Sequence, residues 1–176
     1  MNRELFDAAP LAGCQSDLGL LAAVLQDGTR EWRWELEGVT EDAIVWQPFP
    51  GGHSIGALMF HIIEAEVFWV EMICKGMPAD EALMKEIMSA EIKQDEIQWP
   101  TPPRKPISYY FGLHDQVRAR MLEHIATLQD PAEVKDRKDH DVTVRWVLGH
   151  IIQHEAYHGG QIILLNEIFK RRSLKA

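Results

Sequence analysis

The sequence predicts an all-α protein, a four-helix bundle with long connectors and a short extra helix, in one domain over residues 1–176. Three observations carry this. Four long stretches repeat their apolar residues at helical spacing, and no stretch alternates with period two over a useful length, so no sheet is expected. The nine prolines and twelve glycines gather mostly between the periodic stretches rather than inside them. With 46 % apolar residues, a chain of this length buries roughly 70 % of the surface it would expose unfolded, enough for a single core.

The first helical pattern runs from about Ser16 to Gly38, with Leu18, Leu21, Ala22, Leu25, Trp32 and Leu36 on one stripe and Gly38 as a stop. Gly28 weakens its middle, since glycine there costs roughly 1 kcal/mol. The connector Val39–His53 contains Pro48, Pro50 and paired glycines, which forbid a continuous helix; Trp46 and Phe49 are expected to pin it to the core. Ser54 then caps a second helix reaching about Lys75, whose apolar face includes Ile55, Leu58, Ile62, Ala65, Trp69 and Met72. Gly76-Met77-Pro78 ends it. A short acidic helix is expected in Ala79–Glu91, followed by the proline-dense connector Trp99–Pro106. The third long helix should span Ile107–Leu128, stopping before Asp130-Pro131. The fourth should open at Thr143, whose hydroxyl can cap, and run to about Arg171.

The net charge of −9 argues against nucleic acid as a partner, because phosphate neutralisation needs a Lys/Arg surplus on one face. The one basic cluster, Lys170-Arg171-Arg172 with Lys175, sits where cations complement a helix C-terminus. No apolar run approaches the ~20 residues of a membrane span, and no leader with an apolar core is visible, so a cytoplasmic location is expected. Cys14 and Cys74 lack the spacing of a metal knuckle or redox pair and are expected as free thiols.

The densest chemistry lies in the run His150-Ile-Ile-Gln-His154-Glu155-Ala-Tyr157-His158-Gly-Gly-Gln161. Histidines four apart share one helix face, and two such imidazoles can close around one divalent ion. His154 and His158 fall on the inward stripe Val147, Ile151, His154, His158, Leu165, Ile168, with His150 at its edge. The second helix repeats the oddity at His61. An unpartnered buried imidazole costs about 1–3 kcal/mol, so histidines converging from two helices point to a metal. Spacing alone admits His150–His154 as well as His154–His158 as the ligating pair. Three imidazoles leave coordination positions open, as catalytic sites do.

Gln161, one turn beyond His158, can hydrogen-bond a ligating imidazole or a metal-bound water, or be an ordinary polar residue. Glu155 and Tyr157 are candidates for proton handling, with a solvated face and aromatic packing as their ordinary roles. His53 is expected on the loop surface, His114, His124 and His140 at the surface or rim. Trp32, Trp46, Trp69 and Trp146 are expected as core or connector anchors. Gly159-Gly160 within a helix implies close approach of a backbone or ligand.

His154-Glu155-Ala-Tyr-His158 also spells the H-E-x-x-H motif of zinc peptidases. The extended form needs glycine at 161 and histidine at 164, where this chain has Gln161 and Leu164. The other form takes a glutamate from a separate helix, whereas Glu167 lies on the same one. A zinc metallohydrolase is therefore the weakest functional reading.

The stretch Trp46-Gln-Pro-Phe-Pro-Gly-Gly-His-Ser54-Ile-Gly56 through His61, together with His150 through Gln161, resembles DinB-like (YfiT-like) proteins in order and spacing along the whole chain. The resemblance implies a homodimeric four-helix bundle with a divalent metal held by His61, His154 and His158, and it alone selects His154–His158 over His150–His154. Gly159 departs from the pattern, standing where a basic residue is frequent, which weakens any case for an anion held there. The resemblance further implies a metal-dependent S-transferase or isomerase acting with a small-molecule thiol of the bacillithiol or mycothiol type and an electrophile. The alternative is a non-catalytic metal-binding stress or scaffold dimer. Imidazole suits zinc, nickel, iron and copper alike; zinc or nickel is expected first, with iron or manganese as further options.

Overall fold

The computed structural model describes residues 7–92 and 98–172. Residues 1–6, read for a leader, and Lys175 lie outside the described residues.

The first helix, α1, spans Ser16–Trp34 and is capped by the Gln15 side chain, which accepts from the amides of Asp17 and Leu18. The helix passes through Gly28 unbroken, and Gly38 (φ +72°) takes the left-handed turn beyond its end. Within the first connector a single turn, α2 (Glu41–Val45), starts at the Thr40 cap; five residues are too short to show in the periodicity. Trp46 packs on Phe169 at 5.7 Å. Phe49, expected in the core, is 57 % exposed, because Pro48 and Pro50 hold it in an outward turn.

Ser54 caps α3 (Ile55–Glu66) by accepting from the Ala57 amide at 3.3 Å. The helix continues as an eight-residue π-helical segment, Val67–Cys74. Its i→i+5 bonding widens the turn and rotates the following side chains relative to the α3 stripe. Phe68, Trp69 and Met72 thereby line a cavity beside His61. Next come α4 (Glu81–Glu86) and α5 (Ile107–Thr127), and finally α6 (Val144–Arg172), where Thr143 Oγ1 accepts from the Trp146 amide at 3.3 Å.

Contrary to expectation, a small sheet is present. Strands β1 (Val134–Asp136) and β2 (Asp141–Thr143) form an antiparallel hairpin with Lys135 opposite Val142. Three residues per strand are too few for an alternating pattern to stand out. Val142 is buried against the bundle while Val134 is 59 % exposed.

Two apolar clusters stack along the bundle. One joins Trp32, Ile62, Tyr110, Val117 and Ile162; the other joins Leu18, Leu25, Val70, Met121 and Val147. Reading each helix from one cluster to the other gives an up-down-down-up bundle, with α1 parallel to α6 and α3 parallel to α5. The parallel α3–α5 pair explains the long crossover between them. Between the clusters lies a polar layer contributed by all four helices: Thr29, Glu66, His114, Arg118 and Glu155, all buried. The described helices include none long and apolar enough to cross a membrane.

Candidate metal centre

Three histidines converge at this middle level. His61 from α3 meets His154 and His158 from α6, and the ligand nitrogens of all three lie within 4.8 Å of one another. The Nε2 atoms of His61 and His154 are 2.9 Å apart. Ring centroids are separated by 4.6 Å (His61–His154), 4.9 Å (His61–His158) and 4.4 Å (His154–His158).

The outer nitrogens have partners that fix the tautomers. His158 Nδ1 donates to Gln161 Oε1 at 2.7 Å, which leaves its Nε2 lone pair free of a proton. His61 Nδ1 faces Glu64 Oε2 at 3.4 Å, and Ser89 Oγ donates to the other Glu64 oxygen. Burial, reinforced for both residues by His61, pushes the His154 and His158 imidazoles down to about 3 and about 4. They are neutral at pH 7, the state in which imidazole ligates.

The donor set fits a divalent transition metal. Two nitrogens each ~2.1 Å from one ion and subtending a right angle stand about 3 Å apart, close to the spacing of the His61–His154 pair. An outer hydrogen bond on each of two imidazoles is the usual support of a ligating histidine.

A second group, Glu66, His114 and Glu155, also brings its ligand atoms within 4.8 Å. Here the cation is already supplied by the protein. Arg118 donates through Nη2 to Glu155 Oε2 at 2.6 Å, through Nε to Glu66 Oε1 at 3.0 Å and through Nη1 to Thr29 Oγ1 at 2.9 Å. Arg118 and His114 hold the Glu66 carboxyl down to about 2, against a burial that would raise it. His114 Nε2 donates to Glu66 Oε1 at 2.8 Å, and its Nδ1 accepts from Arg33 at 2.7 Å.

Several expectations are corrected by these contacts. His114 is not a rim residue but fully buried; beside Arg118 on its own helix, its partners Glu66 and Arg33 come from α3 and α1, so spacing on α5 gives no sign of them. Glu155 is not a solvated side chain but 2 % exposed. Its Oε1 accepts from Thr29 Oγ1 at 2.6 Å and Trp32 Nε1 at 2.9 Å while Oε2 is held by Arg118, so both oxygens are engaged within the polar layer. Tyr157 is 66 % exposed, packed in no core, with its ring beside His158. Gly159 admits neither backbone nor ligand: an added Cβ would stand 2.9 Å from Trp32 Cγ, so it is the indole that needs the space. Ile168 turns outward, and Trp146 lies at the rim rather than in the core, stacked on His150 at 4.8 Å.

A cavity of about 640 Å³ opens beside the histidines, lined by His61 and His154 together with Phe68, Trp69, His150 and Arg137. Burial, and next the charge of Arg137, lowers the His150 imidazole below its ordinary value. His53 is half-buried rather than a surface loop residue, its ring 4.4 Å from that of Trp99, which also carries His61 at 5.4 Å. Arg137, Trp99 and Ser89 carry no spacing signal that would single them out in the sequence. Glu64, three residues after His61, has a detectable one. Cys14 and Cys74 are free, and burial raises the Cys74 thiol to about 11.

An up-down-down-up helical bundle with three imidazoles meeting at its polar layer defines the class of DinB-like bundle proteins. The family model described as Mycothiol-S-transferase matches residues 20–170, and the chain belongs to that DinB/YfiT-like family. Among curated proteins none matches the chain.

Proposed function

We propose that His61, His154 and His158 hold one divalent transition metal, zinc or nickel before iron or manganese, and that the protein is an S-transferase joining a small-molecule thiol to an electrophile. The convergence of three imidazole nitrogens beside a cavity is the observation that carries this reading. The family match supports it. A metal in this place supplies Lewis acidity that favours the thiolate form of a thiol substrate near neutral pH.

The chain's own residues supply the rest. Gln161 and Glu64 orient His158 and His61 through their outer nitrogens. Phe68, Trp69 and Met72 exclude water from the space beside them and offer an apolar surface to the acceptor. His150, neutral at pH 7 and lining the same cavity, takes the proton released when the thiol ionises. Glu155 is not that base, because both its oxygens are committed to the polar layer. The same commitment removes the general base a peptidase would need.

The homodimer implied by the resemblance has an available face. Tyr157, Leu164 and Ile168 lie along one side of α6 and are all exposed. We place the dimer contact there and the protein in the cytoplasm.

The deciding experiment is metal analysis of protein purified without a metal-affinity tag, followed by a panel of thiols with a chromogenic electrophile. Near-stoichiometric metal, lost in His61→Ala, together with thiol-dependent turnover, is expected. Absence of bound metal sinks the reading, and metal without turnover with any thiol reduces the protein to a binding function.

A further inference from the structure

The β1–β2 hairpin contributes one residue to the cavity. Its turn is closed by reciprocal backbone bonds, Arg137 N–H to His140 O at 3.1 Å and His140 N–H to Arg137 O at 3.2 Å. That closure fixes the backbone from which the Arg137 side chain extends over the π-helical segment. Its guanidinium carbon lies 4.8 Å from the Trp69 ring centroid and 5.4 Å from that of Phe68. Both rings lie within cation–π distance of the guanidinium and hold it at the cavity.

No carboxylate among the described residues pairs with Arg137. This is notable because Asp136, Asp139 and Asp141 are its hairpin neighbours. Glu64, the acid lining the same cavity, is engaged with His61 and Ser89 instead. A half-buried guanidinium on an aromatic shelf, facing a cavity and lacking an internal counter-charge, is a recognition element for an anion.

We propose that Arg137 anchors the carboxylate of the acceptor substrate, an aromatic or otherwise apolar organic acid whose body lies on Phe68, Trp69 and Met72. The cavity then orders its occupant: acid group at the hairpin end, reactive carbon at the His61–His154 wall. A volume of about 640 Å³ suits a small aromatic acid with room for a thiol beside it. The binding step needs no bond to form or break. The assignment of this acid as acceptor rests on the S-transferase reading, but the anion site itself does not.

The test is a pair of aryl electrophiles of one shape, 4-chloro-3-nitrobenzoate and its neutral amide, titrated by tryptophan fluorescence and calorimetry. The full-length protein is used both as purified and after chelation, so that a carboxylate binding directly to metal is separated from one binding to Arg137. Wild-type protein is expected to prefer the carboxylate by about tenfold or more in both forms. Arg137→Gln should erase the preference while leaving amide affinity and metal content unchanged, and Arg137→Lys should restore part of it. Equal affinity for acid and amide in wild type, or an undiminished preference in Arg137→Gln, overturns the proposal. A preference that depends on Arg137 in a protein that turns over no thiol upholds the anion site and fails only the transferase reading.

Discussion

Arg118 Nη2 donates to Glu155 Oε2 at 2.6 Å, tying α5 to the residue that follows His154 on α6. The glutamate that makes the helix read like a peptidase motif is thus a buried counter-ion. Removing one partner of a buried ion pair costs about 3–5 kcal/mol where the other charge is left alone; Arg118 keeps its contact to Glu66, so the cost here falls below that range. Glu155→Gln is expected to lower stability by about 1–3 kcal/mol in denaturant titration, with metal stoichiometry retained. Combining it with Arg118→Met should cost less than the two single changes added together, because both remove the same Arg118–Glu155 contact, while the loss of Arg118 also leaves Glu66 short of a cation. Full stability with lost turnover in Glu155→Gln would instead assign Glu155 a part in the chemistry.

Gln161 Oε1 accepts from His158 Nδ1 at 2.7 Å. Loss of such an outer hydrogen bond costs roughly 10–100-fold in metal affinity. Gln161→Ala should show that loss in competition with a chromogenic chelator, with helicity unchanged, whereas His158→Ala should abolish tight binding. An unaltered affinity in Gln161→Ala would mean the bond does not orient a ligand.

The metal-free protein should be acid-labile in two overlapping windows. His154 and His158 fall in the folded state to about 3 and about 4 from 6.5. Between those values the unfolded chain binds more protons than the folded one, so stability falls as pH drops from about 6.5 towards 3. Glu66, lowered to about 2 from 4.5, stabilises the fold above 4.5, and that contribution is lost as pH falls towards 2. Both act in one direction. Melting temperature against pH should decline steadily below 6.5, and His154→Phe should flatten the upper part of the curve without changing the lower part. A flat profile from pH 7 to 4 in the wild type would contradict the histidine window, and one from 4 to 2 the Glu66 window.

The long helices and the inward-facing histidines were legible because helical periodicity is a local signal, while the choice of His154–His158 over His150–His154 came from the family resemblance alone. Ser54 and Thr143 fall at helix boundaries for the same reason, since caps act on the nearest turn, whereas Gly38, expected as the stop of the first helix, lies four residues beyond its end at Trp34. The polar layer was not legible. Thr29, Glu66, His114, Arg118 and Glu155 come from four helices, and each taken alone resembles an ordinary polar residue on its own helix. The hairpin and the π-helical turn were hidden for a related reason: three-residue strands and a changed hydrogen-bond step leave almost no periodic trace. These two elements place Arg137 and Phe68 at the cavity, so the histidines that line it showed in the sequence while these two residues did not.

Adjacent glycines on α6 should respond oppositely to one added methyl group. At Gly160 nothing lies within 4 Å of where a Cβ would stand, and the residue is exposed in mid-helix. Gly160→Ala should therefore stabilise by roughly 0.5–1 kcal/mol through reduced chain entropy in the unfolded state. At Gly159 the new Cβ would meet Trp32 at 2.9 Å from Cγ and 3.0 Å from Cδ1. Ring atoms cannot bend aside, and moving the indole would disturb its 2.9 Å bond to Glu155 Oε1. Overpacking of this kind costs about 1–3 kcal/mol, which outweighs the helix-propensity gain. Gly159→Ala should thus destabilise in thermal and denaturant unfolding. Trp32→Phe, which vacates part of the space but forfeits the bond to Glu155, should relieve the steric share of that cost in the double variant. If Gly159→Ala stabilises as Gly160→Ala does, the packing of Trp32 against α6 is looser than these distances require.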